Sequence, residues 1–205
     1  MDLKESYAIN HSKQTKNTLL LNKRLFDTYN RISLRKCNLS LSGANIDLGS
    51  GDQGFSKYLR TISIESFPYD YPSFDIEKDS LDHEDQSIDF ITMNAVIEHI
   101  KDPDNIFLEI KRVLKPAGLL YVRTPNWQMC HQDFYNDPTH VKPYSPQGLR
   151  HTFEFYDLNT LFIEPGLVEK GWFWWTLPDS IKWRISSYIA GGTKSIIGVA
   201  QNKEI

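Results

Sequence analysis

Hydrophobic and polar residues follow two different periods along the first 125 residues of the chain. Apolar residues about three and four apart, namely Leu20, Leu21, Leu25, Tyr29 and Ile32, predict a helix over about residues 12–36. Short apolar runs between turn residues predict strands, and helical spacings separate them. The predicted strands are 44–48, 62–65, 74–76, 88–93 and 119–122, and the helices between them are 55–62 and 103–114. This alternation predicts an α/β fold, doubly wound, with a mostly parallel sheet.

The C-terminal part of the chain continues the pattern less regularly. Ser145 and Pro146 are residue types of a helix N-cap and first turn, so we expect a helix to begin there. Beyond it we expect a strand over about 167–175, a helix over 178–189 and a last strand over 195–200. These two strands are expected to form an antiparallel pair at the edge of the sheet.

A glycine-rich turn follows the first predicted strand. It reads Asp47-Leu48-Gly49-Ser50-Gly51-Asp52-Gln53-Gly54, so its glycines match the G-x-G-x-x-G pattern of dinucleotide sites. The turn carries two acids and no Lys or Arg before Lys57, which disfavours a pyrophosphate by charge repulsion. A cationic, phosphate-free ligand such as S-adenosylmethionine (SAM) suits the turn better. A nicotinamide cofactor remains the alternative on the glycines alone.

A carboxylate at the end of the second strand can accept hydrogen bonds from both ribose hydroxyls of a nucleoside. Glu65 ends the predicted strand and is the first candidate. Asp70 is the alternative.

Four segments in order resemble the motifs of class I SAM-dependent methyltransferases. They are Ile46 to Gly51, Asp85 to Ile91, Val96 to Pro103 with its Glu98-His99 pair, and Arg112 to Gly118 followed by Thr124-Pro125-Asn126. The resemblance implies a Rossmann-like, seven-stranded sheet whose C-terminal strand is antiparallel. One departure is Ala117, which stands where the family usually has glycine.

The resemblance also implies cofactor contacts. Asp47 and the backbone of Gly49, Ser50 and Gly51 would hold the methionine end of SAM, and Asn94 would line the same side. Glu65 would bind the ribose. Glu77, together with Asp75, falls where the family has an acid near the adenine.

The second half is similar to members of the family that act on sugars or cell-surface glycan precursors. The similar segments are Phe134 to His140, Tyr144 to Pro146 and Phe162 to Leu167. The chain is therefore interpreted as one domain, 1–205. Its parts are an N-terminal helical cap (1–43), a cofactor-binding half (44–126) and a substrate-side half (127–205).

Methyl transfer to an oxygen atom benefits from a general base, and histidine titrates in the right range. His140 is the first candidate and His131 the second, because both follow the fifth predicted strand, near the end where α/β sheets bind ligands. His99 is interpreted as structural or close to the cofactor. His131, Asp133 and His140 have the residue types of an iron site, but they lie on one loop, so no metal is expected.

The composition of the chain narrows the range of possible binding partners. The net charge is −3 and the pI about 6.1, so there is no basic excess for nucleic acid. Two cysteines, no signal-like N-terminus and no long apolar run predict a cytoplasmic protein without a transmembrane segment. The cluster Trp172-Phe173-Trp174-Trp175 is compatible with core, a sugar-stacking wall, a membrane-facing patch or a homodimer contact.

The sequence thus predicts a SAM-dependent methyltransferase acting on a small molecule or sugar precursor, preferably at oxygen. Two alternatives stay open. One is a nicotinamide-dependent oxidoreductase, and the other is a non-catalytic methyltransferase-like partner subunit.

Overall fold

The computed structural model describes residues 18–165 and 194–203. In the described residues, strands and helices alternate as expected. The helices are α1 (Thr18–Lys36), α2 (Gly54–Thr61), α3 (Asp104–Val113), α4 (Trp127–Cys130) and α5 (Pro146–Phe155), with 3-10 turns at Ile97–His99 and Phe134–Asn136. The strands are β1 (Ala44–Leu48), β2 (Glu65–Tyr69), β3 (Ile88–Asn94), β4 (Leu114–Pro125), β5 (Asn159–Pro165) and β6 (Ser195–Gln201).

These strands form one sheet in the order β2-β1-β3-β4-β6-β5. β1 to β4 run parallel, whereas β6 is antiparallel to both β4 and β5. The predicted α/β class and the antiparallel last strand are confirmed. The described part of the sheet has six strands rather than seven. Residues 74–76 do not form a strand, and β5 was not predicted. The predicted strand 167–175, with its Trp cluster, and the helix 178–189 lie outside the described residues.

The second strand differs most from its prediction. The structure has β2 at Glu65–Tyr69 instead of 62–65, and Pro68 lies inside it, opposite Asp47 of β1. Within the described residues β2 is an edge strand, where a proline without an N–H is tolerated. Residues 62–64 instead finish the last turn of α2, where the Ile64 N–H donates to the Leu59 carbonyl at 3.0 Å.

Helices pack on both faces of the sheet, and each face has its own apolar core. α1 and α2 bury one set of side chains: Phe26, Tyr29, Ile32, Phe55, Tyr58 and Leu59 against Phe90, Tyr121 and Val199. α3 and α5 bury the other: Ile106, Phe107, Ile110, Leu149 and Phe153 against Ile91, Leu120 and Ala200. Of the apolar residues that predicted α1, Tyr29 and Ile32 are buried, whereas Leu20 and Leu21 are exposed. α5 begins as predicted, with the Ser145 hydroxyl accepting from the Gly148 N–H at 3.0 Å. No helix in the described residues is both long and apolar enough to cross a bilayer.

Ala117 occupies a backbone position that favours glycine. Its φ is +63°, in the left-handed region that disfavours a Cβ. Its N–H donates to the carbonyl of Asn202 at 3.1 Å, so β4 and the end of β6 hold the residue in this conformation.

Replacing Ala117 by glycine is therefore expected to stabilise the protein by about 0.5–1 kcal/mol, because relief of backbone strain outweighs the greater freedom of glycine in the unfolded chain. Urea denaturation of Ala117→Gly measures this. The matched control is Ala44→Gly in β1, where φ is ordinary, and which should destabilise by about 1 kcal/mol. Equal destabilisation at both positions would refute the strain at Ala117.

Candidate cofactor and acceptor site

A cavity of about 310 Å³ opens at the carboxyl ends of β1 and β2, where ligands of open α/β sheets bind. Four segments of the chain form its walls. They contribute Gly49; Tyr69, Asp70, Tyr71, Phe74, Asp75, Ile76 and Glu77; Val96, His99, Ile100 and Lys101; and Pro138, Thr139 and Val141. Gly49, Glu77 and the alternative acid Asp70 therefore reach the cavity, whereas Glu65, Asn94, His131 and His140 are not in its lining.

The glycine turn is fixed to the end of β2. The N–H groups of Gly49 and Ser50 donate to the Tyr69 carbonyl at 2.8 and 3.2 Å. Gly49 has a φ of +69°, and a Cβ there would lie 2.2 Å from a methyl carbon of Val96. Gly51 has a φ of +53°, but the space where its Cβ would lie is open. The turn thus requires glycine at residue 49 for packing and leaves room for a ligand beside residue 51.

Asp70 is the acid at the carboxyl end of β2. Its Oδ2 accepts a hydrogen bond from the Gly51 N–H at 2.8 Å, so the carboxylate lies between the glycine turn and the cavity. The prediction that Glu65 holds this place is wrong, because Glu65 is the first residue of β2 and lies exposed at the other end of the strand. The error follows from the misplaced strand.

The two acids of the turn itself face away from the cavity. Asp47 is 2% exposed, and its carboxylate accepts from the hydroxyls of Ser56 and Thr92, each at 3.1 Å. Burial raises the pKa of Asp47 to about 7. Asp52 accepts from the Gly54 N–H at 2.9 Å, at the start of α2. The negative charge that disfavours a pyrophosphate and suits a cationic ligand therefore comes from other acids, which line the cavity: Asp70, Asp75 and Glu77.

The far end of the cavity combines acids with apolar side chains. The Glu77 Oε1 accepts from the N–H groups of Lys101 and Asp102 at 2.8 and 3.0 Å, which fixes this wall to the segment before α3. Phe74 and Ile76 lie beside it in the lining. Asn94 ends β3 and accepts a hydrogen bond from the buried hydroxyl of Tyr29.

These features fit SAM. The Ser50 hydroxyl is buried and has no hydrogen-bond partner within the described residues, which marks an unmet polar group at the glycine turn. The Asp70 carboxylate suits the ribose, and the open space beside Gly51 suits the amino-acid end of SAM. The apolar far wall of the cavity suits the adenine. No basic side chain of the lining other than Lys101 and His99 offers a charge for a phosphate.

Two histidines meet at the edge of the cavity. The rings of His99 and His140 lie 4.8 Å apart between centroids. His140 Nδ1 is 2.6 Å from the Phe134 carbonyl oxygen, and His99 Nδ1 is 3.1 Å from the Thr139 carbonyl oxygen. A carbonyl only accepts, so each neutral ring carries its proton on Nδ1 and keeps a lone pair on Nε2.

His131 does not join this pair. It is exposed and makes an edge contact with Trp127 at 6.2 Å between ring centroids. The prediction of a second catalytic histidine at residue 131 has no support in the geometry, because α4 and the turn after it direct this residue to solvent.

Glu98 was missed by the sequence analysis as a site residue. Its side chain is fully buried, and burial raises its pKa to about 7. One carboxylate oxygen accepts from the Thr124 hydroxyl at 2.9 Å, and the other has no hydrogen-bond partner within residues 18–165 and 194–203. The available signal was its position next to His99, but nothing local predicts that the residue is buried.

Comparison with known proteins identifies the family. Residues 19–161 match a family model described as a methyltransferase domain. The match covers most of the chain, and the protein therefore belongs to this family of methyltransferase domains. A curated relative, an uncharacterized 37.1 kDa protein in a transposon of Streptomyces fradiae, is 30% identical over 105 residues. That match covers 45% of this chain, and the chain spans only 30% of the relative's length.

Solved structures share the fold at low sequence identity. A SAM-dependent methyltransferase from Archaeoglobus fulgidus matches with a TM-score of 0.62 at 20% identity, over 95% of this chain and 99% of that chain. The geranyl diphosphate C-methyltransferase of Streptomyces coelicolor, in complex with Mg²⁺, geranyl diphosphate and S-adenosylhomocysteine, gives 0.60 at 12% identity, over 98% and 99%. The predicted family and fold class are confirmed, and the family match favours a methyltransferase domain over a nicotinamide-dependent oxidoreductase.

The buried carboxyl of Asp47 predicts a pH effect on stability. Its pKa is near 3.8 in the unfolded chain and about 7 in the folded protein, so the folded state holds a proton that the unfolded state has lost between these values. The contribution of Asp47 to stability is thus present below pH 4 and is lost as the pH rises to 7.

Asp47→Asn removes this titration, so the free energy of unfolding of the variant relative to wild type should rise by about 1–3 kcal/mol from pH 4.5 to 7.5. Urea denaturation across this range measures the difference. A difference that stays constant with pH would contradict the raised pKa.

Proposed function

We propose that this protein transfers a methyl group from SAM to an oxygen atom of a small molecule or sugar precursor. The observation that supports this most is that one cavity is lined both by candidate cofactor-binding groups and by candidate acceptor-side groups. The cavity joins Gly49 and Asp70 on one side to His99 on the other, together with Pro138, Thr139 and Val141. Cofactor and acceptor groups would then meet over a few ångströms.

The residues for the cofactor follow from the fit described above. The Asp70 carboxylate would accept from the ribose hydroxyls, the turn from Gly49 to Gly51 would hold the amino-acid end, and Phe74 and Ile76 would pack on the adenine. Bound SAM supplies a methyl group already activated by its sulfonium, so the protein has to orient the acceptor and exclude water.

We further propose that the acceptor oxygen is activated at His140. Its Nδ1–H is held by the Phe134 carbonyl, which directs the Nε2 lone pair away from that carbonyl and fixes the ring. The Asp137 carboxylate lies 3.9 Å from Nε2. Partial burial raises the pKa of Asp137, but hydrogen bonds from Thr139 and electrostatic attraction to His140 and His99 outweigh it and lower the pKa, so the charge of Asp137 persists at neutral pH.

Aromatic side chains beside His140 support a sugar as the acceptor. Phe134 lies 4.5 Å from the His140 ring, and Trp127 and Tyr135 contact Phe134 at 5.5 and 5.0 Å between centroids. Tyr135 is 58% exposed, so this platform reaches solvent. Exposed aromatic faces with polar groups at their edge suit the apolar C–H faces of sugar rings.

The cofactor assignment predicts that Asp70→Asn weakens binding of S-adenosylhomocysteine by about 10–100-fold, because hydrogen bonds to a charged group are lost. Glu65→Gln is the matched control and should bind like wild type. Isothermal titration calorimetry measures both. If Glu65→Gln weakens binding and Asp70→Asn does not, the ribose contact was assigned to the wrong acid.

The acceptor assignment predicts that His140→Gln lowers kcat by about 10²–10⁴-fold without changing the affinity for S-adenosylhomocysteine. Release of S-adenosylhomocysteine is measured against a panel of nucleotide sugars, free sugars and phenols. His131→Gln should retain wild-type kcat. Equal losses in the two variants would argue against a special role of His140.

The panel also tests the alternative of a non-catalytic partner subunit. Tight binding of S-adenosylhomocysteine together with no turnover on any acceptor, and activity regained only with a co-purified partner, would favour that alternative over the proposed function.

A further inference from the structure

Glu98, His99 and His140 form a cluster that the cofactor does not account for. One carboxylate oxygen and one nitrogen from each ring all lie within 4.8 Å of one another. We propose that these three residues bind a divalent transition-metal cation, which in turn binds the oxygen of the acceptor. This inference deepens the proposed function and rests on it for the identity of the second ligand.

The histidines have the hydrogen bonds expected of metal ligands. A metal-binding histidine usually donates its other ring N–H to a carbonyl or carboxylate, which fixes the tautomer and the ring direction. His140 does so to the Phe134 carbonyl and His99 to the Thr139 carbonyl. The Thr139 hydroxyl oxygen also lies 3.0 Å from His99 Nδ1. Because this hydroxyl donates its proton to Asp137 at 2.5 Å, it accepts from His99 and does not donate to it. In this tautomer Nε2 is the ring atom of each histidine that can bind a cation.

Glu98 is the independent observation that points to a ligand. A fully buried carboxylate oxygen without a hydrogen-bond partner costs free energy, because it has lost its hydration and nothing in the described residues replaces it. The Thr124 hydroxyl satisfies only the other oxygen. A cation bound at the unpartnered oxygen would remove this cost. Its binding would explain why an acid is buried at this position.

The three ligands come from two segments that are joined rigidly. The Glu98 carbonyl accepts from the N–H groups of Val141 and Lys142 at 2.9 and 3.0 Å, so the loop that carries His140 is fixed to the 3-10 turn that carries the other two residues. The sequence-based objection to a metal, that the ligands share one loop, applied to His131, Asp133 and His140. It does not apply to this set.

Two imidazoles and one carboxylate suit zinc, iron(II), cobalt(II) or manganese(II) and leave coordination positions open. With ligand bonds of about 2.1 Å, the ligand atoms lie roughly 3–4 Å apart, so shifts of about 1 Å in the side chains complete the site. A hydroxyl that binds the cation becomes more acidic and releases its proton to water. The O–CH₃ bond would form as the S–CH₃ bond breaks, and S-adenosylhomocysteine would leave with the electron pair. With the cation bound, His140 would activate the acceptor oxygen as a ligand of the cation, in place of accepting the proton itself.

The experiment uses the full chain after dialysis against EDTA. Cobalt(II) is titrated with detection by visible absorption, and manganese(II) with detection by electron paramagnetic resonance. We expect one equivalent to bind in the wild type. His99→Gln and His140→Gln should each weaken binding at least about 10-fold, while the controls His131→Gln and His151→Gln bind like wild type.

Glu98→Gln is the third variant and should also lose binding. Because this residue is buried, its variant is used only if its thermal unfolding resembles that of wild type; the two histidine variants decide the question otherwise. The absence of cobalt binding to wild type, or equal binding by wild type and both histidine variants, would overturn the metal site.

Calorimetry with S-adenosylhomocysteine on the same samples separates the two proposals. Binding of S-adenosylhomocysteine without cobalt binding refutes the metal and leaves the methyltransferase proposal intact. Cobalt binding that depends on the three residues, without binding of S-adenosylhomocysteine, refutes the proposed function and leaves a metal site.

Discussion

The hydrogen bonds from the Gly49 and Ser50 amides to the Tyr69 carbonyl hold the carboxyl ends of β1 and β2 at one level. This attachment creates the floor of the cavity. It puts the Asp70 carboxylate within hydrogen-bond distance of the Gly51 amide, and residues of the following segment, 71–77, line the cavity. The close approach of Gly49 to Val96 then joins the same floor to the segment that carries His99. A longer side chain at residue 49 would separate these parts.

A second attachment determines the acceptor side. The Glu98 carbonyl accepts from two successive amides of the loop after β4, which brings His140 against His99 although the two are far apart in the chain. The cavity is thus built from two backbone junctions, one for each side. The side chains that carry chemistry are attached to these junctions directly or one residue away, which is how loops on a rigid sheet usually acquire function.

Features with a local cause could be predicted from the sequence. β1, β3 and the start of α5 follow from apolar runs and from the cap at Ser145, and the glycine turn was recognised by its spacing. β2 was misplaced because the segment 62–65 was taken as the strand, whereas the strand itself contains Pro68, which an edge strand accepts. Glu98 and the inward turn of Asp47 could not be predicted. Their burial depends on contacts between residues far apart in the chain.

Pro68 also affects how the sheet can meet other molecules. The Tyr69 carbonyl faces β1, so the backbone of its neighbour Pro68 faces the open margin, where it offers no N–H. The Ser66 carbonyl on the same margin is already occupied by the Arg60 guanidinium, at 3.0 Å from Nε. A foreign strand would find no donor at Pro68 and no vacant acceptor at Ser66. Within the described chain, this border is thereby protected against edge-to-edge aggregation.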